Sequence, residues 1–245
     1  ESFMGLTDVT RLDLQFDDAT GSFTGAKAEM VPLWIDKTGE DEEVKTLISG
    51  FTKDVDAEMG IVIGESAFDL LKSTSGLDSD IGNWFTDAMR RQAGTDVAFQ
   101  NTPGIRSELR KGPVRIRDVY QVMPFENTLV KLTMTGGQLK KLLADNLSGG
   151  FCKLQLSGLK VSFRSPARAA GNIVLEKDGK PVNDEDKLTV ATNNYLTTGG
   201  TGGKVFSEAE KSEDTMQPVR DLLLKDIKAN PVKSLPARGR LVRLD

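Results

Sequence analysis

From residue 61 onward the chain interleaves short β-branched apolar runs with segments of helical period, and this narrows the fold more than any other feature. Ile61-Val62-Ile63 and Val97-Ala98-Phe99 are too short and too bounded for buried helices, so they read as strands. Between them Ile81, Trp84, Phe85, Ala88 and Met89 recur at helical spacing. Ser79 or Asp80 supplies the start of that helix and Gly94 its stop. Residues 129–134 predict a strand and 138–147 a helix. Strands follow over 154–163, 173–176 and 188–192, with Asp178-Gly179 as a hairpin turn. A helix over 219–227 and a short strand over 240–244 complete the chain. Irregular interleaving of this kind predicts an α+β domain built on a mixed sheet.

The stretch before residue 61 reads differently. Leu12, Leu14 and Phe16 alternate with Asp13 and Gln15, residues 17–21 supply a turn, and a second run covers 26–33. A lone hairpin is marginal, so these strands read as the trailing edge of a larger sheet. Val44, Leu47, Ile48, Phe51, Val55 and Met59 then mark a helix over 40–59, with Glu40 to Glu43 crowding its first turn. A boundary near residue 36, with this helix as a connector, is the expected organisation.

Composition removes several function classes. The chain has no histidine, which excludes Ser-His-Asp and Cys-His catalysis and His-based zinc sites within it. Its single cysteine, Cys152, excludes an internal disulfide and reads as a small buried hydrophobe beside Phe151. A net charge of −4 argues against nucleic acid as a general partner, and no apolar run is long enough to span a membrane. The start Glu1-Ser2-Phe3, without methionine or signal-peptide pattern, reads as a processed or truncated product.

Three segments stand out as ligand candidates. In Gln100-Asn101-Thr102-Pro103-Gly104-Ile105-Arg106, a polar Pro/Gly loop leaves a buried strand, offering the Asn101 amide and the Arg106 guanidinium. A solvated loop with surface cations is the alternative. In Val122-Met123-Pro124-Phe125-Glu126-Asn127, Phe125 is either a stacking face for a planar base or a core plug. The run from Thr192 to Lys204 holds Tyr195 and four glycines at 199, 200, 202 and 203. It fails the P-loop pattern, because Thr198 stands at the first glycine position and Val205 follows Lys204. It reads as a loop packed close to a ligand or to another backbone. The acidic cluster Asp184-Glu185-Asp186 has turn composition.

Taken in order, Ile81-Gly82-Asn83-Trp84-Phe85-Thr86-Asp87-Ala88-Met89, Asp96-Val97-Ala98-Phe99, Asn101 to Arg106, Met123-Pro124-Phe125-Glu126-Asn127 and Asn193 to Gly200 resemble the C-terminal domain of the 5′-nucleotidase family. That family includes UDP-sugar hydrolases and 2′,3′-cyclic nucleotide phosphodiesterases. The resemblance implies a substrate-binding domain over 61–245, a linker helix over 37–60, and over 1–36 the tail of a metallophosphoesterase domain. It implies that Phe125 and Tyr195 sandwich a nucleoside or nucleotide base. Asn101 and Arg106 would supply a polar contact and a phosphate-side cation, and Gly104, Gly199 and Gly200 the close backbone. The two divalent metals and their ligands would lie in an N-terminal domain outside this sequence, which would also be the chain's partner. A periplasmic or secreted location follows from the same resemblance. The sequence departs from the family pattern at Thr102, Pro103 and Thr201, and at Tyr195, where phenylalanine is usual. A non-catalytic binding module, or the substrate domain of a thiosulfohydrolase-like relative, is the competing expectation.

Overall fold

The protein is described from a computed structural model covering residues 7–72, 77–148, 150–164 and 172–245; the Glu1-Ser2-Phe3 start lies outside the described residues. The chain divides into two compact units, Glu1–Ala57 and Glu58–Asp245.

In the first unit, β1 (Asp8–Phe16) and β2 (Phe23–Pro32) form an antiparallel hairpin. Asp17 holds its turn by accepting from Thr20 Oγ1, Thr20 N and Ala19 N, and these bonds lower the Asp17 pKa. The register sets Leu12 opposite Ala28 and Leu14 opposite Ala26, while Arg11 opposes Glu29 and Asp13 opposes Lys27. Apolar and charged residues therefore occupy opposite faces. A single-turn helix, α1 (Ile35–Thr38), forms at the boundary expected near residue 36. The Asp41 carboxylate then caps α2 (Glu42–Met59) by accepting from Glu43 N and Val44 N.

The second unit runs β3 (Val62–Ser66), α3 (Asp80–Ala93), β4 (Val97–Asn101), β5 (Gly112–Arg115), α4 (Ile116–Val122), β6 (Thr128–Thr135), α5 (Gly136–Asn146), β7 (Leu147–Ser148), β8 (Phe151–Cys152) and β9 (Leu154–Ser157). It continues with β10 (Lys160–Phe163), β11 (Ile173–Lys177), β12 (Lys180–Pro181), β13 (Lys187–Asn193), α6 (Asn194–Thr197), β14 (Lys211–Pro218), α7 (Val219–Ala229) and β15 (Leu241–Arg243). A five-stranded sheet of order β14-β6-β13-β4-β9 lies at its centre. β13 and β4 are parallel and their neighbours antiparallel, so the fold is α+β with a mixed sheet.

Both faces of this sheet are covered. Val97, Phe99, Val130, Leu132, Met134 and Val190 pack against α5 and the second sheet, β12-β11-β10-β15. The opposite face, with Ala98 and Ala191 in register on adjacent strands, lies under α3, α4 and α7. The alternation in Val97-Ala98-Phe99 puts bulk on one side and leaves room for close helix packing on the other. Ser79 caps α3 by accepting from Gly82 N, and Gly94 ends it in the left-handed conformation.

The continuous strand expected over 154–163 is two strands in different sheets, β9 and β10. They turn at Gly158, which has φ +89°, and a Cβ there would lie 2.1 Å from the Asp96 carbonyl. Edge strand β14 escaped the sequence reading because its exposed, polar residues carry little apolar period; the β5–α4 segment escaped it although Val114, Val119 and Val122 are buried, because both elements are short.

Candidate functional site

Sheet register gathers the three candidate segments. The parallel strands β4 and β13 end side by side, at Asn101 and Asn193. The antiparallel neighbours begin at the same edge, since Asn101 pairs with Leu154 and Asn193 with Leu129. The loop after β4, the loop before β6 and the segment after β13 therefore leave one rim. In open mixed sheets that rim is where ligand sites form.

There Asn101, Pro103, Gly104, Phe125, Asn127, Tyr195 and Thr201 line a cleft of about 310 Å3. Two larger hollows, of about 410 and 590 Å3, are lined largely by charged surface groups, such as Lys177 with its partners Asp96 and Asp178. Neither contains an aromatic side chain, so the smaller cleft fits a planar ligand better. Phe125 is 41% exposed and Tyr195 43%, whereas Phe85, Phe99 and Phe206 are at most 1% exposed. The two cleft aromatics are therefore ligand-accessible faces rather than core plugs.

Buried amides build the cleft floor. Asn193 Nδ2 donates to Gln100 Oε1 (2.8 Å) and Asn101 Oδ1 (3.2 Å), and Gln100 Nε2 donates to Asn101 Oδ1 (3.2 Å). Asn193 Oδ1 also accepts from Leu196 N (2.9 Å), capping α6, which carries Tyr195. Gly104 closes over this network: a Cβ there would lie 2.6 Å from Asn101 Nδ2. Thr102, one of the departures from the family pattern, has a fixed role, since Oγ1 donates to the Cys152 carbonyl and accepts from Gln155 Nε2.

The Tyr195 ring is held from two sides. Its hydroxyl lies 3.1 Å from Thr201 Oγ1 and accepts from Thr201 N at 3.2 Å. The Thr201 hydroxyl and amide in this way hold the phenol below its usual pKa. Gly200 lies against the ring, where a Cβ would stand 2.5 Å from Cε1. Tyr195 and Thr201, both departures from the family pattern, thus act as one pair.

Of the expected site residues, Asn101, Gly104, Phe125 and Tyr195 line the cleft. Gly199 and Gly200 support it from behind: Gly199 N donates to the Leu196 carbonyl and Gly200 N to that of Tyr195. Arg106 is not among the lining residues. Its exposed guanidinium donates through Nη1 to the carbonyl of Pro103, at the cleft's margin. Sequence reasoning missed Gln100, Asn127, Asn193 and Gln155 as parts of the site. The available signal was the amides at two buried strand ends, Gln100 and Asn101 on β4 and Asn193 on β13, because buried amides need partners.

Residues 62–208 match the family model of the 5′-nucleotidase C-terminal domain. The chain belongs to the 5′-nucleotidase family. This 5′-nucleotidase C-terminal domain is 31% identical over 222 residues to the trifunctional nucleotide phosphoesterase protein YfkN of Bacillus subtilis, covering 83% of this chain and 15% of that protein. It is 28% identical over 195 residues to the B. subtilis endonuclease YhcR, covering 79% of this chain and 16% of that one. The crystal structure of a 5′-nucleotidase precursor from Thermus thermophilus superposes with a TM-score of 0.78 at 30% identity. That match covers 98% of this chain and 50% of the other. The chain thus spans about a sixth of the length of those curated relatives and half of that solved one.

The dimetal centre implied by the resemblance does not fit this chain. Among the described residues no three His, Cys, Asp or Glu side chains converge as a metal-binding group, and the sequence has no histidine. Cys152 is fully buried, and burial pushes its thiol pKa up to about 12. Among the described residues no helix is long and apolar enough to cross a membrane.

Proposed function

We propose that this chain is the substrate-recognition part of a 5′-nucleotidase-type phosphoester hydrolase, and that it holds the base of a nucleoside or nucleotide between Phe125 and Tyr195. The carrying observation is the pair of half-exposed aromatic rings in one small cleft floored by amides. A base covering such a ring contributes about 1–3 kcal/mol. Asn101 Oδ1 is committed to Gln100 and Asn193, while its Nδ2 makes no hydrogen bond among the described residues and is left to donate to the ligand. Arg106, at the margin, would be the cation that meets a phosphate. The chain would present that phosphate to a dimetal centre in a preceding metallophosphoesterase domain, to which residues 1–36 would belong as the tail and residues 37–60 as the linker. A periplasmic or secreted location is part of the same proposal.

Calorimetric titration with nucleosides and nucleoside monophosphates tests this reading. Phe125→Ala and Tyr195→Ala should each weaken binding by about 1–3 kcal/mol while leaving the melting temperature nearly unchanged. Truncating a buried aromatic would instead cost about 3–5 kcal/mol of stability. Arg106→Ala should weaken nucleotides more than nucleosides. Unchanged nucleoside affinity in both aromatic variants defeats the proposal. So does metal-dependent phosphatase turnover by the chain alone.

A further inference from the structure

The loop carrying Phe125 is lightly tethered. Pro124, Phe125 and Glu126 are consecutive exposed residues between α4 and β6 and make no backbone hydrogen bond among the described residues. Its ends are fixed, by Met123 N to the Val119 carbonyl and by Val219 N to the Asn127 carbonyl. Between these points one side-chain tie is found among the described residues. Arg220, the second residue of α7, is 6% exposed, and its Nη2 donates to Glu126 Oε1 at 2.5 Å. The guanidinium carbon sits 3.9 Å from the centroid of the Tyr120 ring, on the helix that leads into the loop. Arg220 Nε is buried and has no hydrogen-bond partner among the described residues.

A buried guanidinium is costly to desolvate, and here its counter-ion is a carboxylate whose side chain is 75% exposed. The cation–π contact holds the guanidinium over Tyr120, and its Nη2 ties Glu126. Glu126 follows Phe125 directly in the chain, so tying it restrains the backbone that carries the ring.

We propose that Arg220 is a positioning residue: held over Tyr120, it clamps Glu126 and thereby presents the Phe125 ring to the cleft. This inference rests on the base-binding reading above. Arg220 is not among the residues that line the cleft, so it would act on affinity through Phe125.

The test combines backbone amide NMR relaxation of Phe125, Glu126 and Asn127 with adenosine and uridine titrations. It compares the wild-type chain with Glu126→Gln, Arg220→Met, Phe125→Ala and the Phe125→Ala/Arg220→Met double variant. Glu126→Gln and Arg220→Met should each lower the order parameters of these amides and weaken nucleoside binding about 3- to 10-fold. Glu126→Gln should leave the melting temperature unchanged, since that side chain is exposed. In the Phe125→Ala background, Arg220→Met should cause no further loss of affinity. Equal losses in both backgrounds would overturn the clamp, as would unaltered order parameters in both single variants. Nucleoside affinity unaffected by Phe125→Ala defeats the base-binding reading instead, and the relaxation measurement, which needs no ligand, still judges the clamp.

Discussion

Replacing Asn193 by alanine removes the residue that joins the two halves of the cleft floor, and the cost can be worked from its bonds. Its Oδ1 caps α6 through Leu196 N, and losing such a cap costs about 1 kcal/mol. Its Nδ2 is the donor 2.8 Å from Gln100 Oε1, an acceptor inside a fully buried strand. Orphaning that acceptor costs about 1–3 kcal/mol. Asn101 Oδ1 keeps the bond from Gln100, so its loss adds little. The expected destabilisation is therefore about 2–4 kcal/mol. Urea unfolding followed by circular dichroism reads this as a lower midpoint at constant slope. Thr198→Ala, on the exposed turn after α6, is the control and should change stability by less than about 0.5 kcal/mol. A change that small in Asn193→Ala itself would show that the amide network does not hold the rim together.

Other consequences are simpler to read. Cys152, with its thiol pushed up to about 12 by burial, should resist alkylation at mild alkaline pH in the native state and react once urea unfolds the chain; rapid native labelling would contradict its place in the core. Burial raises the Asp96 pKa, but bonds from the Thr189 amide and hydroxyl and from Lys177 outweigh it and leave the group below its ordinary 3.8. The stability gap between wild type and Asp96→Asn should hold from neutral pH down to about pH 4, then close as acid titrates the folded carboxylate; a gap independent of pH would place the effect elsewhere. Gly158→Ala should cost about 3–5 kcal/mol by thermal or urea melting, because it forces a Cβ against the Asp96 carbonyl at a left-handed φ; a tolerated alanine would refute that packing.

The strands and helices with strong period were legible from sequence, including the Ser79 cap, the Gly94 stop and the Asp178-Gly179 turn, where both residues take positive φ. The run over 154–163 misled because its alternation looks like one strand, yet the apolar phase shifts at Gly158, from Leu154 and Leu156 to Leu159, Val161 and Phe163. The backbone there, which must pass close to Asp96, is where the chain changes sheet. The aromatic pair was visible as a motif, but its supports were not. Arg220 lies about a hundred residues from Tyr120 and Glu126, so no local pattern links them. The pairing of Tyr195 with Thr201 was equally hidden, since the sequence shows two separate departures where the structure shows one hydrogen-bonded unit.

The two-faced hairpin of the first unit also governs how the protein behaves as a solution. Leu12, Leu14, Phe16, Phe23 and Met30 are each more than half exposed, and Phe16 and Phe23 meet edge to face at 5.8 Å on that ribbon. Among the described residues this sheet has two strands, and their outer edges keep backbone donors and acceptors unpaired there. An oily face bounded by open edges is a template for its own copies, so concentration becomes a variable. Light scattering should show particle size growing with protein concentration, and lysines at Leu12 and Leu14 should flatten that growth. The charged face, with Arg11 opposite Glu29 and Asp13 opposite Lys27, cannot offset this, because its charges already cancel across the strands and leave little net repulsion between molecules.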